Sequence, residues 1–337
     1  MHSRLVSFDR VLACTLLVLG TACASTPDVD PVYRPAENVL EVVAVLRVHI
    51  PDDTYRFEPA RDFTGRNVYR SSLLRLENLE KLHSDALRAG HMDGVIAFAK
   101  ARALERLQAY DLAAESYRLA ADISSDLRIE ALHSADVCDA LYRASPMNRE
   151  FELIAGPELE VVAEPEWDVD PDEELGDLDP DSVIERFEER VALLDDLAAI
   201  TEMTHHSAIV REEIERADQM RADYFVGTRK MHADGEVRAV AELQRVIARH
   251  PDSKYFSRHL LGLANLYADL AVEYAGTHPP ESLLFDPVHF RDLLEGATRL
   301  YEMVAHRDGT PEKLEAARRL EAFLAFSIRI DRDRFTP

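Results

Sequence analysis

Few residues in this chain could do chemistry by type and spacing. His205 and His206 stand together in TEMTHHSAIVREEIE, with Glu212 and Glu213 seven residues on, and histidine with carboxylate is a zinc-binding donor set. Adjacent side chains on a helix diverge by about 100°. One histidine and one glutamate can then share a face, but the two histidines cannot chelate together. Two histidines at a helix start, with no metal, are therefore expected. Asp168, Asp170 and Asp172 alternate as a calcium loop begins. That loop would next need glycine and later glutamate where Glu173 and Asp179 stand, and Pro171 opposes its turn, so a solvated acidic loop is expected. Cys138 is the one thiol outside the N-terminal segment and cannot close an intrachain disulfide, which leaves it as a small buried apolar residue. No G-x-S-x-G, Walker loop, dinucleotide glycine pattern, C-x-x-C or H-E-x-x-H occurs. The expectation is a non-enzymatic protein with no catalytic residues and no cofactor.

The elements around these residues read as helices. Charged residues make up 30% of the 337 and aromatics 7%, with few alternating β-branched runs. The net charge of -24 excludes a nucleic-acid partner, because binding a phosphate backbone requires an excess of Lys and Arg.

The N-terminus carries Arg4 and Arg10, an apolar run from Val11 to Leu19, then GTACAS. The run is too short to span a bilayer, which takes roughly 20 residues, and it ends in small residues and a cysteine, as a cleaved signal does. Leu19-Gly20-Thr21-Ala22-Cys23 resembles the lipobox of bacterial lipoproteins, with Gly20 in the place where that family usually has Leu. The resemblance implies lipidation at Cys23. Ala24, where an inner-membrane retention signal would have Asp, implies the periplasmic face of the outer membrane. Residues 1–22 are then the signal peptide and 23–37, Pro-rich and polar, a flexible tether.

From Val95 to Ser125 the residues Tyr110, Ala113, Tyr117 and Ala120 recur at steps of three, four and three. Small side chains at that spacing let two antiparallel helices approach, and the rings fill the space beside them. Ala239, Leu243 and Val246, followed by Pro251, repeat the spacing; Ala297, Tyr301 and Val304 repeat it again. Here the chain resembles the tetratricopeptide-repeat (TPR) family, whose unit is a helix pair of about 34 residues. The resemblance implies an all-α, TPR-like α-solenoid of antiparallel helix pairs over residues 38–330, with Gly227 at position 8 of one first helix. The segment Asn38–Val48 reads as a helix apolar nearly all round, ended by Pro51, and Pro51 to Arg66 as an irregular loop. An acidic, Pro-interrupted insertion occupies about 155–181, helix resumes at Ser182, Asp234-Gly235 reads as a tight turn before a helix from Val237, and 331–337 is a polar tail.

In the TPR family the first helix of each repeat lines a concave groove. Carried over residue by residue, that implies groove positions Phe98, Arg102 and Arg106 in one unit, and Arg221, Tyr224, Thr228 and His232 in another. Arg258 and Asn265 follow in the next. Such a face suits an extended or acidic polypeptide, unless its arginines pair with nearby glutamates such as Glu105. The functional expectation is a lipid-anchored cell-envelope scaffold that holds protein partners, attached to the membrane through its N-terminal lipid. The alternative is a periplasmic binding protein for a peptide, peptidoglycan or another small ligand. If Cys23 is the acylated residue, globomycin should accumulate an unprocessed precursor and Cys23→Ala should move the protein from membrane to soluble fractions. A normal-sized product in the presence of globomycin would refute lipidation.

Overall fold

A computed structural model describes residues 34–144 and 180–335. The signal segment, Cys23, the tether before Arg34 and the calcium-like aspartates lie outside the described residues, as does the acidic insertion before Pro180. Among the described residues there are eleven α-helices and no strand: α1 Pro35–Asp52, α2 Val68–Ala89, α3 Asp93–Arg106, α4 Tyr110–Ile123, α5 Arg128–Ala144, α6 Pro180–Thr201, α7 Ser207–Thr228, α8 Gly235–Arg249, α9 Phe256–Thr277, α10 Pro287–Ala305 and α11 Lys313–Phe335. The fold is all-α, and none of these helices is long and apolar enough to cross a membrane.

Packing follows chain order. Each helix lies chiefly against its sequence neighbours, most extensively α3 on α4, α4 on α5 and α9 on α10. The apolar core accordingly runs as a succession of clusters: one over α1–α3, one joining α3–α7, and one from α7 to α11. All three small/large triads read from the sequence are buried: Ala113, Tyr117 and Ala120; Ala239, Leu243 and Val246; Ala297, Tyr301 and Val304.

Several boundaries differ from expectation for local reasons. Helix α1 starts at Pro35, whose fixed φ and missing N–H suit a first helical position. It runs through Pro51 because that proline sits in the last turn, where only one hydrogen bond is lost. The first of the described helices, it buries only Val39, Val42 and Leu46, and Leu40 and Val48 stay exposed, so among the described residues it is not enclosed on all sides. Helix α11 continues to Phe335, so most of the expected polar tail is helical. Gly227 has open space where a Cβ would lie, so it is not a close-approach point. Gly235 is. It opens α8 directly against the single 3-10 turn Arg229–Met231 that follows α7, and a Cβ there would stand 1.9 Å from the Arg229 carbonyl oxygen.

The array is also closed across long sequence distances. Lys254 Nζ, in the α8–α9 turn, donates to the Asp53 carbonyl (2.8 Å), and Tyr255 Oη approaches the Phe57 carbonyl at 3.5 Å. The α1–α2 loop therefore folds onto the middle of the molecule. Asp62 locks that loop: its carboxylate accepts from Ser71 Oγ, from Thr64 N and Oγ1 and from Arg66 N, bonds that hold it down to about 2.

Helix α7 organises the interior. Four carboxylates on it, Glu212, Glu213, Glu215 and Asp218, each meet a partner from a different element. Lys254 Nζ donates to Glu212 (3.1 Å). Tyr110 Oη donates to Glu213 (2.6 Å), which also pairs with Arg216 on its own helix. Glu215 pairs with His259 Nε2 at 2.6 Å and accepts from Ser253. Asp218, fully buried, faces Arg245 (3.0 Å), Arg249 (3.3 Å) and His250 (2.8 Å). Burial alone would raise the Asp218 carboxyl, but His250 and the two guanidinium groups outweigh it and hold the carboxyl below the ordinary value of 3.8.

Two predictions follow from these contacts. Gly235→Ala should lose about 1–3 kcal/mol in thermal or urea unfolding, because the Arg229 backbone must shift. Gly227→Ala should be neutral or gain up to about 1 kcal/mol from helix propensity; equal effects at both positions would contradict the geometry. A carboxyl depressed on folding contributes stability that is complete above its unfolded pKa and lost as pH falls through its folded value. Wild-type stability should therefore decline below about pH 4. Asp218→Asn, which removes the charge that Arg245, Arg249 and His250 share but leaves Arg245 its Glu242 and Arg249 its Asp195, should cost about 1–3 kcal/mol at neutral pH and flatten that acid decline.

Candidate functional site

The face of α3 expected to line a groove is covered by the chain itself. Phe98 packs edge-on against Tyr117, ring centroids 5.2 Å apart. Arg102 lies 3.8 Å from Glu105 with most of its side chain buried. Arg106 donates to the Ile50 carbonyl at the end of α1 (2.7 Å) and approaches Glu212. Pairing of Arg102 with Glu105 is thus what the fold uses, though in the interior and not on a solvated face.

The second set is similarly engaged. Arg221 is clamped between Glu242 (2.9 Å) and Glu188 (3.4 Å). Tyr224 packs on Phe187 and Phe225, and its carbonyl accepts the Thr228 hydroxyl (2.8 Å). His232 is half-buried, its carbonyl accepting from Gly235 N. Asn265 accepts from Tyr301 Oη (2.8 Å). Arg258 is mostly exposed, stacked over Tyr255 and 3.6 Å from Glu312. These nine residues are dispersed from α3 to α9 and do not line one surface.

An open groove does exist elsewhere, between α8, α9 and α10. It has a volume of about 530 Å³ and its floor carries Tyr267, Leu270 and Tyr274 of α9, with Val240 of α8 and Leu293 of α10 beside them. Tyr274 is its centrepiece: its ring stacks on His278 (4.8 Å) and meets His289 edge-on (4.8 Å), while its hydroxyl accepts the Asp286 backbone N–H (2.7 Å). Glu236 and Glu273 stand at the rim; the bonds from Lys230 and Arg229 keep the Glu273 carboxyl below its ordinary value. Val237 is 75% exposed at this end of α8, and Leu283 and Leu284 are exposed on the α9–α10 connection, which leaves α9 from the same end. Tyr267, Leu270 and Tyr274 follow a helical spacing along α9 that the sequence carries, with His278 just past the helix end; the repeat frame points instead to first helices.

A second cleft, about 370 Å³, lies between α6, α7 and the α8–α9 turn and is lined by Arg211, Arg249, His250 and Lys254. Arg249 and Lys254 already pair with Asp195 and Glu212, and His250 faces Asp218, which leaves little unmet charge for a small anionic ligand.

The expectation that His205 and His206 cannot converge is overturned. Helix α6 ends at Thr201 and α7 starts at Ser207, so both histidines sit in the intervening turn, where the helical divergence does not apply. Their rings lie 3.7 Å apart, and both reach the same oxygen of Glu105: Nε2 of His206 at 3.4 Å and of His205 at 3.9 Å. Burial opposes ionisation of Glu105, but the two imidazoles and Arg102 outweigh it and hold its carboxyl well below the usual carboxylate range. Among the described residues this is the one group of three metal-ligating side chains. Cys138, also nearby, is buried as expected; burial, then the charges of Glu105 and Asp139, push its thiol up.

In comparisons with known proteins, the chain matches no family model, no curated protein and no solved structure.

Proposed function

We infer that this protein is a non-enzymatic docking protein of the bacterial cell envelope, lipid-anchored at Cys23, whose helical body holds a polypeptide partner in the α8–α10 groove. The observation that carries the reading is the groove itself, apolar at its floor, rich in tyrosine and histidine, and open to solvent. Tyrosines and histidines supply large contact area with a polar tip and are frequent anchors of protein interfaces. The exposed Val237, Leu283 and Leu284 extend the apolar surface past the volume a small molecule would occupy, which favours a chain segment over a metabolite.

The occupant is an extended segment with apolar side chains flanked by basic ones. Glu236 at the rim and the net charge of -24 oppose an acidic segment, while Glu273 is already answered by Arg229 and Lys230. The lipid anchor and outer-membrane placement rest on the export segment alone, and the TPR-like character on the three buried triads and the sequential packing of the helices.

A photo-crosslinking amino acid at Val237 should yield a discrete protein adduct in cells, and a synthetic peptide of the crosslinked segment should bind the purified protein. Val237→Glu with Leu284→Glu, both at exposed positions outside the core, should reduce that binding at least tenfold with helical circular dichroism and melting temperature unchanged. Full binding by the double variant would place the interface elsewhere.

A further inference from the structure

We propose that Glu105, His205 and His206 form a binding site for one divalent cation of the borderline, zinc-like class. The inference stands independently of the docking groove, from which it differs in residues and in helices.

The first support is spacing. In a tetrahedral site with metal–nitrogen and metal–oxygen bonds of about 2.0–2.1 Å, the donor atoms lie roughly 3.4 Å apart. Here one carboxylate oxygen lies 3.4 Å from Nε2 of His206 and 3.9 Å from Nε2 of His205, and all three donor atoms fall within 4.8 Å of one another. Closing onto a cation takes small ring movements and no change of backbone.

The second is what these atoms lack. His206 is completely buried, yet neither ring nitrogen has a hydrogen-bond partner, and the buried Nε2 of His205 and Oε1 of Glu105 lack one too. Buried polar atoms are nearly always satisfied, and two partnerless Nε2 atoms facing one carboxylate oxygen call for a missing partner. A cation bound by the two Nε2 atoms and that oxygen satisfies both nitrogens at once.

The third is rigidity. The turn carrying both histidines is pinned by Thr201, whose hydroxyl donates to the Leu197 carbonyl. Thr204 Oγ1 adds a second pin by donating to the Thr201 carbonyl and accepting from His206 N. Glu105 is aimed by Tyr117 Oη, which donates to the shared oxygen at 2.6 Å, while Arg102 stands at the other oxygen, away from the histidines. Such outer partners orient ligating groups in metal sites. His205, about a quarter exposed at 26%, provides the entry path. Two imidazoles and one carboxylate suit zinc, cobalt or nickel, whereas calcium and magnesium require oxygen donors. Three protein ligands leave a fourth position for water or another donor. The bound ion would tie the end of α3 to the turn before α7, joining segments about a hundred residues apart.

The test uses the full chain, purified in mild detergent and stripped with chelator. It should take up one Zn2+ per chain in competition with a chromophoric chelator, gain several degrees in melting temperature, and show visible tetrahedral bands with Co2+. His205→Gln, at a partly exposed position that the fold tolerates, should weaken Zn2+ binding at least tenfold and remove the thermal shift, as should His206→Gln. His232→Gln should change neither. Absence of stoichiometric Zn2+ uptake by the wild-type chain, or uptake undiminished in the His205→Gln/His206→Gln double variant, would overturn the proposal.

Discussion

The structure depends on neutralising the carboxylates that α7 carries into the interior. A buried carboxylate without a partner is costly enough to forbid the fold. Here each is met by a group from another element: Tyr110 from α4, Arg245 from α8, and His250, Ser253 and Lys254 from the α8–α9 turn, with His259 from α9. The apolar clusters follow chain order and would tolerate some sliding of one helix pair on the next. The ionic contacts of α7 would not, because a shift of one turn separates several of them together. Specificity of assembly therefore resides in polar pairs at the centre, and cohesion in the small-residue helix contacts around them.

That division explains what could be read from the sequence. The rhythm of Ala113, Tyr117 and Ala120, and its two echoes, is a local property of a helix face, so its burial was legible without a structure. The roles of Arg102, Arg106 and Arg221 were not. Which acid meets an arginine is a tertiary fact, and here the acids come from Glu105 on the same helix, Glu212 more than a hundred residues away and Glu242 on α8. A frame borrowed from a repeat family takes the inner face to be open. In this chain the end of α1 and the turn at 202–206 fold onto it.

His205 and His206 teach a related point. The inference that neighbouring histidines diverge is correct within a helix, and it failed because both histidines sit in the turn before Ser207, where the helix begins. Element boundaries are the least certain product of periodicity, and a pair placed just outside one is free to converge. Glu105 could not be anticipated as their partner, since it lies a hundred residues earlier on α3. By contrast, Tyr267, Leu270 and Tyr274 recur at helical spacing on α9, a local pattern legible in the sequence apart from the repeat frame.

The same pairing bears on the kind of partner the surface can hold. The chain has 39 basic residues against 63 acidic ones. Many of the basic groups, among them Arg102, Arg106, Arg190 and Arg221, are turned inward, with 19%, 7%, 3% and 15% of their side chains exposed. Exposed acids such as Glu188 and Asp195 keep their positions at the surface, only partly answered by these cations. The interior takes acids as well, among them Glu105, Glu213, Glu215, Asp218 and Glu242, so the outer face keeps an acidic excess of the order the net charge of -24 gives. An acidic polypeptide, attractive when those arginines are imagined in an open groove, would meet repulsion at almost every approach, whereas a basic segment would be drawn in over roughly a Debye length. Apolar anchors at Tyr267, Tyr274 and Val237 would then hold what the charge attracts, so that electrostatics governs the encounter and the groove its lifetime.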